Sequence, residues 1–179
     1  SNFKIRILKS FFLKNSEKIK ETKSKFPFYS VEDIKFRLVR DYFLSKKDYE
    51  KTMFLMIKEK KINHEDFHKK IFFQKSDLQT LNKLGHSIGL HSHSHPTLLE
   101  KLNFDEQKNE YETCLSVISN ILNNSKKEIK SMSHPCGSYT NETLEILRGL
   151  GIELGFRQIM TTNSKTNIKK INNSFLEIA

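Results

Sequence analysis

Four of the chain's seven histidines fall within twelve residues, Gly85-His86-Ser87-Ile88-Gly89-Leu90-His91-Ser92-His93-Ser94-His95-Pro96. Histidine is scarce elsewhere in the chain, and imidazole is the commonest side-chain ligand for a transition metal. Ser87 to Leu90 is short, apolar and closed by polar residues, which predicts a buried strand ending near His91. In a straight strand, residues four apart stand roughly 13 Å from each other, whereas one helical turn brings them within about 6 Å. His91 and His95 can therefore share one ion only if the chain turns at the strand's end. Pro96, which cannot continue a ladder, suits the exit from such a turn. His93 is expected to point elsewhere.

The surrounding segments alternate between helix and strand. Ser76-Asp77-Leu78-Gln79 reads as a capping box, with Leu78, Leu81 and Leu84 facing inward and Gly85 ending the helix. Residues 105–122 carry Tyr111, Cys114, Leu115, Ile118, Ile121 and Leu122 at helical spacing, so Cys114 is read as core. Ile129 to Ser133 reads as a strand, Asn141 to Leu150 as a helix closed by Gly151, Ile152 to Ile159 as a strand, and Phe175 to Ile178 as a further strand after a polar connection over Asn163 to Asn173. This alternation implies a parallel sheet with ligands at the carboxyl ends of its strands. Two loops, His91 to Pro96 and His134 to Tyr139, each follow a strand and precede a helix, so they are expected to face one another. Periodicity alone leaves a closed barrel and an open sheet both possible.

Residues 1–75 read as helical throughout. A basic helix over Phe3 to Lys25 ends at Pro27, and helix starts are expected at Ser30-Val31-Glu32-Asp33 and Ser45-Lys46-Lys47-Asp48. An Asn63-capped turn follows. There, His64-Glu65-Asp66-Phe67-His68 fits the zinc-peptidase pattern H-E-x-x-H. The competing reading is a solvated helix start, because the segment is strongly charged and lacks apolar flanks to bury an active site.

The motif His91-Ser92-His93-Ser94-His95-Pro96 resembles the second motif of the NodB-like polysaccharide deacetylases, His-Ser/Thr-x-x-His commonly followed by Pro. Met132-Ser133-His134-Pro135-Cys136-Gly137-Ser138-Tyr139 is similar to the family's third motif, an aromatic or Arg and then Pro-Tyr-Gly. Pro135 and Gly137 match, Cys136 replaces the Tyr, and Ser133 stands where many members have an Arg that orients the catalytic base. The resemblance covers about Phe73 to Phe156. It implies an irregular (β/α) barrel, with residues 1–75 as a helical insertion within the same domain and 76–179 as the barrel portion. It also implies a divalent metal, most plausibly zinc, held by His91 and His95, and a Cys136 backbone N–H that donates to the oxyanion. His134 becomes a candidate for the groove or for catalysis, and Pro135, Gly137, Tyr139 and Arg157 candidates for substrate binding. Cys136 as a thiol nucleophile is the rival reading of that loop.

The family also uses an Asp-Asp motif on its first strand and a later acidic histidine. The chain has no Asp-Asp pair and no histidine beyond His134. The family's order places these groups before Ser1 and after Ala179, so the chain is read as a piece of a longer deacetylase, its native start and any targeting signal lying outside it. A catalytically inactive glycan-binding relative and a zinc peptidase acting through His64 and His68 are the alternatives.

Composition narrows the partners. At 179 residues with 36% hydrophobic content and 14 Phe, the chain is long enough for a core. No apolar run reaches the roughly 20 residues of a membrane span. The net charge of +10 allows an anionic partner, yet the lysines are scattered rather than gathered with aromatics, so no nucleic acid is expected. An N-acetylated glycan is the expected substrate. Two cysteines at unlike sites, Cys114 and Cys136, make no disulfide framework and fit a reducing, cytoplasmic setting.

Overall fold

The computed structural model describes residues 2–123, 128–158, 170–171 and 173–178. The chain forms two compact units, Ser1–His64 and Glu65–Ala179.

The first unit is helical, as its sequence predicts, but the expected long first helix is two: α1 (Asn2–Lys14) and α2 (Ser16–Lys25). The break is Asn15, whose side-chain amide turns back to donate to the Phe11 carbonyl at 2.8 Å. Such local bonding by asparagine competes with the helical ladder. Ser30 and Asp33 make the expected capping box at the start of α3 (Val31–Leu38), with the Asp33 N–H donating to Ser30 Oγ at 3.0 Å. A π-turn over Val39–Phe43 follows. Ser45 then caps α4 (Lys46–Glu59). Ile34 and Leu38 are the buried apolar side chains of this unit among the described residues.

Helix α5 (His64–Ile71) begins at the last residue of the first unit and otherwise belongs to the second, where α6 (Lys75–Lys83) follows. The cap of α6 lies two residues before the predicted Ser76, because the Asp77 carboxylate accepts the Gln74 N–H at 2.7 Å and Ser76 falls inside the first turn. Gly85, at φ +88°, closes the helix as expected. The strand expected before His91 contracts to a single parallel bridge, Leu90 with Met132. The Leu90 N–H donates to the Ser131 carbonyl and the Ser133 N–H to the Leu90 carbonyl, both at 2.9 Å. Gly89 permits this approach: a Cβ there would sit 2.8 Å from the Ser131 carbonyl oxygen.

Helix α7 (Phe104–Leu122) starts at an Asn103 capping box, and β1 (Ser131–Ser133), α8 (Asn141–Gly149) and β2 (Leu154–Phe156) follow in the predicted order. Strands β3 (Lys170–Ile171) and β4 (Ser174–Ile178) complete a sheet of order β1-β2-β4-β3. The pairs β1·β2 and β2·β4 are parallel, and β3 returns antiparallel to β4. Lys170 and Ile171, predicted as connection, are thus strand. Residues 163–169 of that connection, and Ile159 at the end of the predicted strand, lie outside the described residues. The described strands form a small, mostly parallel sheet; a closed barrel is not shown.

Leu90, Leu99, Tyr111, Leu115, Met132, Leu144, Leu147, Ile152 and Leu176 make the core between sheet and helices. Each such side chain contributes about 1.5–3 kcal/mol on burial. Where α7 meets α8, Thr143 Oγ1 donates to the buried amide oxygen of Gln107, so this polar pair is satisfied.

Candidate active site

The sheet's parallel sense places the ends of the Leu90 bridge, β1, β2 and β4 on one side, and the candidate residues gather there. His91 leaves the bridge exposed, with its Nδ1 2.9 Å from the Ser133 carbonyl oxygen and 2.8 Å from Ser133 Oγ. A carbonyl can only accept, so Nδ1 carries a proton toward it, and Nε2 is the nitrogen left for a ligand. The expected turn is present. Ser92 and His95 adopt left-handed backbone, φ 63° and 54°, and the His95 N–H donates to Ser92 Oγ at 3.2 Å. The turn brings the His91 and His95 rings to a centroid separation of 4.9 Å.

Glu110 on α7 holds this turn. Its carboxylate accepts the His93 N–H at 2.9 Å, the Ser94 N–H at 2.7 Å and Ser94 Oγ–H at 2.6 Å. Partial burial alone would raise the Glu110 pKa, but these donors outweigh it and hold the carboxyl below its ordinary value. Cys114, one turn further along α7, is buried as predicted; burial pushes its thiol pKa up, although the His91 backbone N–H donates to its sulfur.

The second loop begins at His134, which is only 2% exposed. Its Nε2–H donates to the Leu176 carbonyl at 2.8 Å, and its ring stacks on Tyr139 at 4.2 Å. Burial holds the His134 pKa below 6.5, against the smaller upward pull of the Leu176 carbonyl and Glu177. Pro135–Gly137 is a single 3₁₀ turn in which Cys136, exposed, takes φ 52°. The Gly137 N–H donates to the His134 carbonyl at 3.1 Å and the Ser138 N–H to the Pro135 carbonyl at 2.9 Å. The Cys136 N–H has no acceptor among the described residues. Tyr139 donates its hydroxyl to Glu177 Oε1 at 2.7 Å. Burial first, and then this bond, push the tyrosine pKa up. Arg157 follows β2, half-buried, and its nearby charge pulls the Tyr139 pKa down against those larger effects.

The structure therefore brings His91, His95 and Ser133 together, and separately His134, Tyr139, Arg157 and Glu177. Sequence reasoning missed Glu110 and Glu177. Glu110 carries a weak signal, an acid directly before the inward Tyr111 on α7, whereas Glu177 carries none beyond its place in a short apolar run. His64 and His68 stand one turn apart on α5. His68 is exposed and stacks on Phe72 at 5.1 Å, and the His64 side chain lies outside what is described. Among the described residues no three His, Cys, Asp or Glu side chains form a metal-binding group.

Parallel strands ending in a histidine turn and a Pro-Cys-Gly turn define an α/β domain with both candidate loops at one edge of its sheet. The sequence profile of the family described as polysaccharide deacetylase matches residues 41–155, more than half of the chain, and the chain belongs to that family. Among solved structures, similarity is found to the Streptococcus pyogenes deacetylase PplD in complex with acetate: 24% identity, TM-score 0.44, over 48% of this chain and 36% of that one. A mutant of BA3943, a CE4 family pseudoenzyme with restored enzymatic activity, matches at 18% identity and TM-score 0.41, over 45% and 28% of the two chains. The chain spans about a third of the length of these proteins. No curated protein matches it.

Proposed function

We propose that this chain contributes to a metal-dependent hydrolase that removes N-acetyl groups from a sugar or polysaccharide in surface-glycan assembly. The observation that carries the reading is the pairing of His91 with His95, together with the Ser133 carbonyl behind His91. A backbone acceptor on the far ring nitrogen is the usual means of orienting a metal-binding histidine. The donor set fits zinc as far as it goes, with two neutral imidazoles on one turn. When bound, zinc would supply Lewis-acid polarisation of the acetyl carbonyl and activation of water.

The oxyanion contact and the shape of the second loop belong to the chain's own groups. The free Cys136 N–H, presented at the tip of the Pro135–Gly137 turn, donates to the oxygen that gains charge as the acetyl carbon becomes tetrahedral. Pro135 and Gly137 fix that turn, the first through its ring and the second through its φ of +67°. Tyr139 and Arg157 form the loop's flank toward substrate, and His134 supports the loop from the interior. A glycan-binding relative without catalysis is the second reading.

Calorimetric zinc titration of the 179-residue chain tests the site. We expect modest affinity, lost in His91→Ala and in His95→Ala and unchanged in His68→Ala. Binding that survives both of the first two substitutions would remove the proposal's foundation, and loss in His64→Ala or His68→Ala would favour the peptidase reading.

A further inference from the structure

The chain's charge is distributed very unevenly. Residues 1–64 hold 17 Lys and Arg against 8 Asp and Glu, a balance of +9, which leaves +1 for the other 115 residues. The same unit has a thin core and exposes large apolar side chains, including Leu13 at 75%, Phe54 at 63% and Leu55 at 53%.

On α4 the two features coincide. Lys47, Lys51, Phe54 and Lys58 follow the i, i+4, i+7, i+11 spacing of one helical face, with Leu55 beside them. All five are exposed. The three lysines make no ion pair among the described residues. Meanwhile Tyr49, Met53 and Ile57 take the half-buried face. The solvent side of α4 thus presents apolar side chains with Lys47, Lys51 and Lys58 along one stripe and the exposed Asp48, Glu50 and Glu59 beside it; the lysine stripe with Phe54 and Leu55 suits the boundary between headgroups and acyl chains.

We propose that the helical unit docks peripherally on an anionic phospholipid surface through the Lys47/Lys51/Phe54/Leu55/Lys58 face of α4. The chemistry favours lipid over nucleic acid. Only three of the unit's cations are arginines, Arg6, Arg37 and Arg40; Arg37 stacks on Tyr29 at 4.1 Å and Arg40 pairs with Asp41 at 2.6 Å. What remains is mostly lysine, a hydrated point charge suited to diffuse attraction rather than to forked recognition of a phosphate. Leu55 has no π-face to offer a base, whereas an aliphatic side chain enters an acyl layer readily. No helix among the described residues is long and apolar enough to cross a membrane, so the contact is with the surface. This inference is independent of the deacetylase reading.

Co-flotation of the 179-residue chain with vesicles tests it. The chain should float with equimolar phosphatidylglycerol and phosphatidylcholine, stay behind with pure phosphatidylcholine, and be released by salt. Each lysine near an acidic leaflet is worth about fivefold in affinity, so the triple variant Lys47→Gln, Lys51→Gln, Lys58→Gln should bind about 10²-fold more weakly. Phe54→Ser with Leu55→Ser should also weaken flotation, while binding to heparin stays unchanged. All side chains altered are exposed, and matching circular dichroism and melting curves will show that the variants fold. The proposal is overturned by failure to float with acidic vesicles, by equal flotation with neutral ones, or by indifference to either set of substitutions.

Discussion

Glu110→Ala should loosen the histidine turn, and the size of the effect follows from what the carboxylate holds. Three donors converge on it, at 2.9, 2.7 and 2.6 Å. A hydrogen bond to a charged group is worth about 1.5–3 kcal/mol. His93 and Ser94 are exposed, however, so water replaces the carboxylate at all three donors and the summed loss falls to about 2 kcal/mol. For a chain of this size that is a fall of about 4–8 °C in Tm. The turn also keeps Ser92 and His95 in left-handed backbone, which costs about 1–2 kcal/mol at each non-glycine position. Without Glu110 the turn relaxes, and His95 must be reordered before it can pair with His91 on an ion. Zinc affinity should then drop about 10- to 100-fold, the usual penalty for losing an outer support of a metal ligand. The pH dependence has a definite sign. The native carboxyl titrates below its ordinary 4.5, so its contribution is complete above that value and disappears as pH falls through the native pKa. Differential scanning calorimetry and zinc titration at pH 7, with melting repeated toward pH 3, make the measurement. A variant that binds zinc as the parent does and melts within about 1 °C of it would refute the clamp.

Because His134 is held neutral by burial, with its pKa lowered from 6.5, the unfolded chain binds the extra proton first as pH falls. The parent should therefore lose stability from about pH 6.5 downward, and His134→Gln, which keeps an amide donor for the Leu176 carbonyl, should flatten that slope in urea unfolding between pH 7 and 5.5. Gly89→Ala would place a Cβ 2.8 Å from both the Ser131 carbonyl oxygen and Ser131 Oγ. Parting the Leu90–Met132 bridge should cost about 1–3 kcal/mol in urea unfolding and weaken zinc binding together, since His91 leans on the same strand.

The sequence was most readable where one residue type marks a backbone event. Gly85 ends α6 at positive φ, and the apolar spacing of Tyr111, Cys114 and Leu115 reports the buried face of α7, whereas the caps Asn103 and Thr140 of α7 and α8 were found only in the structure. The two candidate loops were legible because histidine and proline are rare in the chain, proline restricts the backbone and glycine permits turns that other residues avoid. Strand length was not legible. Ser87 to Leu90 has the composition of a strand, but a bridge needs a partner in register, and only Leu90 finds one. The break at Asn15 escaped because apolar spacing continues across it, while the competing bond is made by a side chain whose direction no pattern reveals.

Glu177 shows why half of the site stayed hidden. His91 meets Ser133 and His134 meets Leu176 across 42 residues each, and Tyr139 meets Glu177 across 38. Those separations are close to the length of one strand-helix-strand unit, so each contact joins one strand end to another brought beside it by the parallel sheet. A loop announces itself locally, but its partner is chosen by register. The pairing of Phe156 with Ile178 sets Glu177 on the face occupied by Tyr139, and a slip of one residue would turn it to the other face. Its Oε2 has no hydrogen-bond partner among the described residues, like the Nδ1 of His134 and the Nε of Arg157, and that is a cost this register carries. Without the Tyr139 hydroxyl, Glu177 Oε1 would lose the bond it accepts at 2.7 Å. The polar groups behind the Pro135–Gly137 turn therefore help specify the strand order that assembles the site, and the loop's chemistry and the sheet's register are selected together.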